Sequence, residues 1–192
     1  MNIALTGGIG CGKSAALNIF RQMGCLITSA DAINNDLLSQ AETITFISST
    51  FGSQYLKNGA IDKAQLAELI FSVPAKRKIL EDFLHPRIAA IQTDTMKRSR
   101  ELGKHCICEI PLLFEKNLES QFDTTICLAC SRQTQLERLE KRGLPRERAL
   151  ARIASQLPLE EKMKRAQFVI FNDGNLEFLT TQIKLFLKNI NI

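Results

Sequence analysis

The sequence has 192 residues, of which 45% are hydrophobic and 23% charged, a composition typical of a folded globular protein. Its formal net charge of +5 suits a small anionic ligand, whereas a nucleic-acid-binding protein usually concentrates basic residues beside aromatic ones, and here Trp is absent and Lys and Arg are interspersed with Asp and Glu. Because no apolar run approaches the length that crosses a bilayer and the first residues read as a strand rather than a leader, we expect a cytoplasmic protein with reduced cysteines and with no membrane or nucleic-acid partner.

Short apolar runs alternate with helical patterns along the chain. Several of the runs are continuously apolar, which is typical of strands in a parallel sheet that is covered on both faces. The predicted strands are Ile3–Thr6, Leu26–Ser29, His105–Ile110, Thr125–Leu128 and Phe168–Ile170. The helices predicted among them are Lys13–Met23, Gln133–Arg142 and Leu176–Lys188.

The segment from residue 31 to residue 103 differs from the rest of the chain, because its pattern predicts helices and contains no convincing strand. Asn58-Gly59 marks a turn within it. The predicted helices are Asp36–Ser39, Thr43–Phe51, Lys63–Phe71, Pro74–Leu84 and Pro86–Arg100. An all-helical insertion in an α/β core suggests a subdomain that grips a substrate.

A glycine-rich stretch follows the first predicted strand. Residues 7–14 read GGIGCGKS and match G-x-x-x-x-G-K-[ST], the phosphate-binding P-loop. Backbone N–H groups must approach phosphate oxygens closely there, and the following helix directs its positive end at the same anion. Lys13 would neutralise the outer phosphates, and Ser14 would offer its hydroxyl to Mg²⁺. The residues predicted to bind ATP are Gly8, Gly10, Cys11, Gly12, Lys13, Ser14 and Ala15.

Three cysteines carry separate expectations. Cys11 lies in the P-loop, where a helix N-terminus and Lys13 favour the thiolate, so one hypothesis is a reactive thiol that bound ATP shields. The alternative is a small residue tolerated at that position. Cys127 and Cys130 form a C-x-x-C pair, but no second pair or His motif accompanies it, and we expect buried apolar residues.

The class of P-loop protein follows from what else the chain contains. It has neither a D-x-x-G nor an N-K-x-D motif, which a GTPase would carry. A helical insertion and an arginine-rich late segment are typical of a small-molecule kinase, whose lid keeps water from the phosphoryl group. Arg138 and Arg142 are four residues apart on one helix and are candidates to clamp phosphates, unless they belong to a solvated face.

Two carboxylates lie at strand ends. Asp31 follows the second strand, and the carboxyl ends of parallel strands share one crevice with the P-loop. Asp31 could accept the proton of an attacking hydroxyl or could cap a helix, and the sequence leaves both open. Glu109 ends another strand, where it could hold Mg²⁺ through water or be an ordinary carboxylate.

Further motifs follow one another along the chain, and with the P-loop they read LTGGIGCGKS, ADAI, LHPRI, PLLFE with a following FD, LERLEKRG, RERALARIASQ, EEK and VIFNDG. In order and spacing they resemble the motifs of the dephospho-coenzyme A kinase family over nearly the whole chain. The resemblance implies that MgATP phosphorylates the ribose 3′-hydroxyl of dephospho-coenzyme A, the last step of coenzyme A synthesis. It also implies a three-layer P-loop fold with a five-stranded parallel sheet, a helical coenzyme-binding insertion and a small lid.

The resemblance assigns roles by position. Asp31 matches the proposed base, Lys13 and Ser14 the ATP and magnesium residues, and His85 the acceptor region, where Arg152 is also expected to bind substrate or to order the lid. The expected single kinase domain has its core at residues 1–30, 104–131 and 166–192, its insertion at about 31–103 and its lid at about 132–165.

The chain departs from the family pattern at several positions. Ser29 replaces a usual Asp and Asn35 a usual Arg, so two groups that could contact magnesium or coenzyme phosphates are missing. Cys11 replaces Ser, Ala15 replaces Thr or Ser, and Gln167 stands where Asp is common. The alternatives are therefore a nucleoside monophosphate kinase and a nucleotide-binding regulatory module without transfer activity. We expect a monomer or a weak homo-oligomer.

Overall fold

The computed structural model describes residues 1–190, and a five-stranded parallel sheet runs through it in the order β2-β5-β1-β6-β7. All five sequence-predicted strands are confirmed, with shifts of at most one residue at their ends. The strands are β1 (Asn2–Gly7), β2 (Leu26–Ser29), β5 (Cys106–Glu109), β6 (Thr124–Ala129) and β7 (Phe168–Phe171).

The central strands are buried along their whole length. Every residue of β1 and of β6 is buried, which explains why their sequences are mostly apolar rather than alternating. Leu5 of β1 lies opposite Glu109 of β5 on one side and opposite Ile126 of β6 on the other. This register places Glu109 beside the point where β1 runs into the P-loop.

The remaining elements of residues 1–190 are mainly helices. They are α1 (Lys13–Gln22), α2 (Ala30–Leu37), α3 (Ala41–Phe51), α4 (Lys63–Ser72), α5 (Pro74–Glu101), α6 (Arg132–Lys141), α7 (Arg146–Ala154), α8 (Leu159–Arg165) and α9 (Leu176–Ile190). Phe20 of α1 meets Phe186 of α9 edge to face, with 6.2 Å between ring centroids, in the same apolar cluster as Ile3 and Leu5 of the sheet.

The chain divides into two compact units. Unit 1 comprises residues 1–28 and 95–192 and contains the apolar core of the sheet. Unit 2 comprises residues 29–94 and has a core of its own, in which Ile47, Leu66 and Leu84 are buried. The second division falls within α5, so the expected insertion at residues 31–103 reaches beyond unit 2.

Besides the helix predicted at Asp36–Ser39, which instead begins at Ala30 and ends at Leu37 as α2, two expectations for the helical segment are wrong. A short antiparallel hairpin, β3 (Leu56–Lys57) with β4 (Ala60–Ile61), lies where no strand is predicted, and the predicted turn Asn58-Gly59 connects its strands. Asn58 and Gly59 both have positive φ, as such a tight turn requires, and strands of two residues are too short to show a hydrophobic period.

The second correction concerns Pro86, which lies inside one continuous helix rather than between two. A proline in a helix removes a hydrogen bond and is expected to end it. Here Leu80, Leu84 and Ile88 on both sides of Pro86 pack into the same apolar cluster, and Arg87 donates a hydrogen bond of 2.9 Å from its guanidinium to the Phe83 carbonyl. Tertiary packing therefore outweighs the local cost.

No helix of residues 1–190 combines the length and the apolar character that a membrane crossing needs.

Candidate active site

The P-loop joins β1 to α1 in a conformation that glycine makes possible. Gly10 and Gly12 have φ of +82° and +90°, which side-chain-bearing residues rarely adopt. A Cβ on Gly12 would also lie 2.3 Å from Nδ2 of Asn172. Gly12 immediately precedes α1, so the free N–H groups of the first helical turn and the helix dipole face the mouth of the loop.

Lys13 lies over this loop. Its ammonium donates hydrogen bonds of 3.0 Å to the Gly7 carbonyl and 3.2 Å to the Gly8 carbonyl. Burial lowers the pKa of Lys13, and the negative charge of Glu109 acts in the opposite direction. The structure therefore brings Glu109 into electrostatic range of Lys13, while Ser14 lies exposed in the first turn of α1.

Two glutamines hold the tip of the P-loop. Gln156 accepts a hydrogen bond of 3.0 Å from the backbone N–H of Ile9, and Gln135 donates one of 2.8 Å to the Ile9 carbonyl. Gln135 is only 4% exposed although it lies on the apolar side of α6, beside Leu136 and Leu139. A polar residue on a helix face that is otherwise buried is the sequence signal that could have identified it.

A cavity of about 400 Å³ opens beside the P-loop within unit 1. Arg138 donates to the carbonyls of Asn172 at 2.8 Å and Gly10 at 3.4 Å, while Nδ2 of Asn172 donates to the Cys11 carbonyl at 2.8 Å. The cavity is lined by Gly12, Ala15, Arg138, Lys141, Arg142, Asn172, Gly174, Leu176 and Leu179. The two arginines predicted as a clamp thus lie on one cavity with two P-loop residues.

A buried ion pair lies within electrostatic range of Lys13. Lys162 is fully buried, and its ammonium lies 2.7 Å from Oε1 of Glu115 and donates to the Pro111 carbonyl at 3.0 Å. Its positive charge contributes to lowering the pKa of Lys13. The motifs PLLFE and EEK, which contain Glu115 and Lys162, contribute to the family resemblance, but neither motif indicates that the two residues form an ion pair.

A second cavity, of about 610 Å³, lies within unit 2 and brings together two of the predicted residues, Asp31 and His85. Its wall is mainly apolar, with Leu66 and Leu80 buried beneath it and Phe71, 80% exposed, at its margin. An apolar cavity with a few polar groups is the usual form of a small-molecule site.

The capping alternative for Asp31 is settled by its neighbour. Ser29 is the N-cap of α2, and its hydroxyl accepts a hydrogen bond of 3.5 Å from the Ala32 N–H. Asp31 lies exposed in the first turn, so its carboxylate does not serve as that cap. Ser29, which stands where the family usually has Asp, therefore has a local structural role.

Two oxygen donors, Ser14 and Glu109, are the candidates to hold Mg²⁺. Ser14 offers a hydroxyl and Glu109 a carboxylate, both hard oxygen ligands of the kind that Mg²⁺ prefers. Within residues 1–190 no three His, Cys, Asp or Glu side chains form a metal cluster. Mg²⁺ in phosphoryl-transfer sites usually takes one or two protein oxygens together with phosphates and water, so these donors fit it.

The structure connects the predicted residue Arg152 with neither cavity. It lies exposed on α7 and does not line the cavity beside the P-loop or the cavity of unit 2. Its predicted role in substrate binding stays a prediction.

Comparison with known proteins places this chain in a family. The dephospho-CoA kinase family model matches residues 1–177. A dephospho-CoA kinase of Bacillus cereus is 38% identical over 99% of this chain and 97% of its own. A solved dephospho-CoA kinase of Campylobacter jejuni has a TM-score of 0.70 at 29% identity and covers 98% of this chain and 96% of its own. A Bacteroides thetaiotaomicron shikimate kinase shares the fold, with a TM-score of 0.50 at 13% identity over 100% of this chain and 99% of its own.

The parallel sheet and the P-loop with its lysine define a P-loop kinase. Within that class, the chain belongs to the dephospho-CoA kinase family, as the family model and the curated relatives show and as the sequence resemblance predicts.

Proposed function

We propose that the protein transfers the γ-phosphoryl group of ATP to the ribose 3′-hydroxyl of dephospho-coenzyme A, yielding coenzyme A and ADP. The observation that carries this proposal is the P-loop at the end of β1, where Lys13 faces the charge of Glu109, in a chain that belongs to this family. Lys13 would stabilise charge on the transferring phosphoryl group, which is the main contribution that proteins make to such reactions.

The nucleotide would bind in unit 1. The backbone N–H groups of the P-loop would receive the phosphates, and the neighbouring cavity of about 400 Å³ would receive the base and ribose. Arg138 is fixed there by two backbone carbonyls, which suits a group that must hold its charge in one place. Arg142 lines the same cavity as a second cation.

Mg²⁺ would be held by Ser14 and, through water, by Glu109. When bound, it would neutralise charge on the phosphate oxygens that the reaction rearranges. The role of Ser14 and Glu109 would be to present oxygen ligands near Lys13.

The acceptor would bind in the unit 2 cavity, where Asp31 and His85 are the candidate polar contacts. In the transfer step the 3′-oxygen bonds to the γ-phosphorus, the bond to the β,γ-bridging oxygen breaks, and ADP leaves. Asp31 would orient the hydroxyl and accept its proton. The apolar wall would pack against the uncharged part of the acceptor, and Arg152 stays a further candidate for a phosphate contact.

We also propose a cytoplasmic monomer or weak homo-oligomer, with neither nucleic acid nor a membrane as partner. The mixed charge distribution and the soluble composition support this.

A panel of acceptors tests the function. ADP release is measured with MgATP and, in separate reactions, dephospho-coenzyme A, AMP, CMP and GMP at equal concentrations. We expect turnover with dephospho-coenzyme A alone. Preference for a nucleoside monophosphate would instead identify a nucleoside monophosphate kinase, and MgATP binding without turnover on any acceptor would identify a regulatory module.

A further inference from the structure

Two cysteines from distant parts of the chain meet beneath the P-loop. The Cys130 thiol donates to Sγ of Cys11 at 3.5 Å, although the residues are 119 positions apart. Cys11 lies between the positive-φ glycines of the P-loop, and Cys130 follows β6 directly. Both are buried, at 0% and 6% exposure, and both are free thiols.

The surroundings of this pair favour nucleophilic sulfur on the P-loop side. The hydrogen bond from Cys130 lowers the pKa of Cys11 to about 7, and the charge of Lys13 acts in the same direction while burial opposes both. Nε2 of Gln135 also lies 3.5 Å from Sγ of Cys11, as a further donor to sulfur. A thiolate attacks oxidants far faster than a thiol.

The chain also contains a pair for comparison. Cys106 and Cys108 approach to 3.8 Å between their Sγ atoms, but they lie two residues apart on one strand, β5. Sulfurs on one extended strand cannot close to a bond of about 2.05 Å without disrupting the strand. Cys11 lies in a loop whose flanking glycines tolerate a small shift, so its sulfur can move the roughly 1.5 Å that separates 3.5 Å from that bond length.

We propose that Cys11 and Cys130 form a reversible disulfide that switches off nucleotide binding when the protein meets a peroxide. Sγ of Cys11 attacks one peroxide oxygen and the O–O bond breaks, so the cysteine becomes a sulfenic acid and one water leaves. Sγ of Cys130 then attacks that sulfur, and a second water leaves as the disulfide forms. Two thiols are oxidised, and one hydrogen peroxide is reduced to two waters.

The disulfide acts on the site because it moves the P-loop. The Cys11 carbonyl accepts a hydrogen bond from Asn172, and Cys11 lies directly before Gly12, the N-cap of α1. Drawing Sγ of Cys11 toward the end of β6 displaces the backbone N–H groups that face the phosphates. The effect on activity rests on the proposed function, whereas formation of the bond does not.

The experiment treats the full-length protein with hydrogen peroxide and follows activity and chemistry together. Non-reducing peptide mapping by mass spectrometry detects a Cys11–Cys130 cross-link, and a fluorescent ATP analogue measures nucleotide binding independently of turnover. Each variant is compared with its own untreated activity, and circular dichroism confirms that it is folded. The variants are Cys11→Ser, Cys130→Ser and, as matched control, Cys108→Ser.

We expect the wild type to lose about 90% of its activity and its analogue binding and to regain both in dithiothreitol. Cys108→Ser should behave in the same way. Cys130→Ser should lose activity without recovery, because a sulfenic acid with no partner oxidises further, and Cys11→Ser should resist inactivation. Bound MgATP should slow cross-linking of the wild type by at least about fivefold.

Other outcomes would overturn the proposal. They are the absence of a Cys11–Cys130 cross-linked peptide, full reversibility in Cys130→Ser, unchanged analogue binding in the cross-linked protein, and cross-linking at equal rates with and without MgATP. If the cross-link forms and blocks analogue binding in a protein that turns over no acceptor, the proposed function fails while the disulfide stands.

Discussion

Asp31 and Ser29 divide two roles that either residue type could fill. Ser29 caps α2, which leaves the Asp31 carboxylate exposed in the first turn and on the wall of the unit 2 cavity. The loss of the usual family Asp at position 29 therefore leaves the candidate base in place.

Asp31→Asn should lower kcat by about 10²-fold or more while the KM for ATP changes little, because the amide cannot accept a proton at neutral pH. Steady-state kinetics with MgATP and dephospho-coenzyme A measure this. Asp36→Asn, an exposed carboxylate on the same helix, is the control and should keep wild-type kinetics. A loss of under about threefold in Asp31→Asn would show that its carboxylate is not the base.

Lys13→Met should lower kcat by about 10²- to 10³-fold, because it removes the cation that would face the transferring phosphoryl group. The side chain is of similar length, so the loop should keep its shape. Lys116→Met, at an exposed position after β5, should retain full activity. Turnover within about tenfold of wild type for Lys13→Met would contradict the assigned role.

How much of the site the sequence predicts depends on the range of the contacts. The P-loop residues are predictable because one local motif holds the glycines, the lysine and the helix start. Gln135 and Gln156 act through Ile9, which lies more than 120 residues away from each, and no local pattern reports such a distance. Glu109 is an intermediate case, because the parallel strand order alone brings its position to the P-loop.

At the scale of elements, α6 and the segment after α7 support the P-loop through one residue. Gln156 accepts from the Ile9 N–H and Gln135 donates to the Ile9 carbonyl, so two side chains fix the backbone of the loop at this residue. The same surface carries an apolar cluster in which Leu136, Leu139 and Ala149 are buried. The predicted lid region therefore contains a rigid support for the nucleotide site.

Gln156→Leu should raise the KM for ATP by about five- to tenfold with little change in kcat, because it leaves the Ile9 N–H unpaired and loosens the loop before phosphate binds. Gln133→Leu is the matched control, since that exposed glutamine of α6 bonds with Glu137 on its own helix rather than with the P-loop. Initial rates over a range of ATP concentrations measure both. An unchanged KM in Gln156→Leu would mean that the loop keeps its shape without this bond.

The elements that sequence patterns predict poorly are those decided by packing. The five strands of the sheet are long enough and apolar enough to be recognised. The continuity of α5 through Pro86 depends on an apolar cluster that the segment's own residues form only after folding, so tertiary contacts override the local preference of proline. The hairpin of β3 and β4 is the exception, because strands of two residues are too short to show a hydrophobic period.

For the molecule as a whole, one buried ion pair ties sequence-distant segments of unit 1 together. Glu115 follows β5 and Lys162 lies in α8, and Glu115 also accepts a hydrogen bond of 3.1 Å from the Leu157 N–H. Burial tends to raise the pKa of Glu115, but hydrogen bonds from Lys162 and from backbone N–H groups dominate and lower it. The ionised carboxylate is therefore favoured in the folded state.

Glu115→Gln should lower the free energy of unfolding by about 3 kcal/mol at pH 7, because the fully buried Lys162 loses its countercharge. A lowered folded-state pKa contributes stability that is complete above the ordinary Glu pKa, about 4.3, and is lost as the pH falls through the folded value. The difference between wild type and Glu115→Gln should therefore shrink below about pH 4. Urea unfolding followed by circular dichroism at several pH values measures this.

Two further variants serve as controls. Glu161→Gln, which breaks the exposed pair with Lys164, should unfold like the wild type. Glu115→Gln/Lys162→Met should recover part of the stability that Glu115→Gln loses. A Glu115→Gln protein as stable as wild type at pH 7 would show that Lys162 does not need this partner.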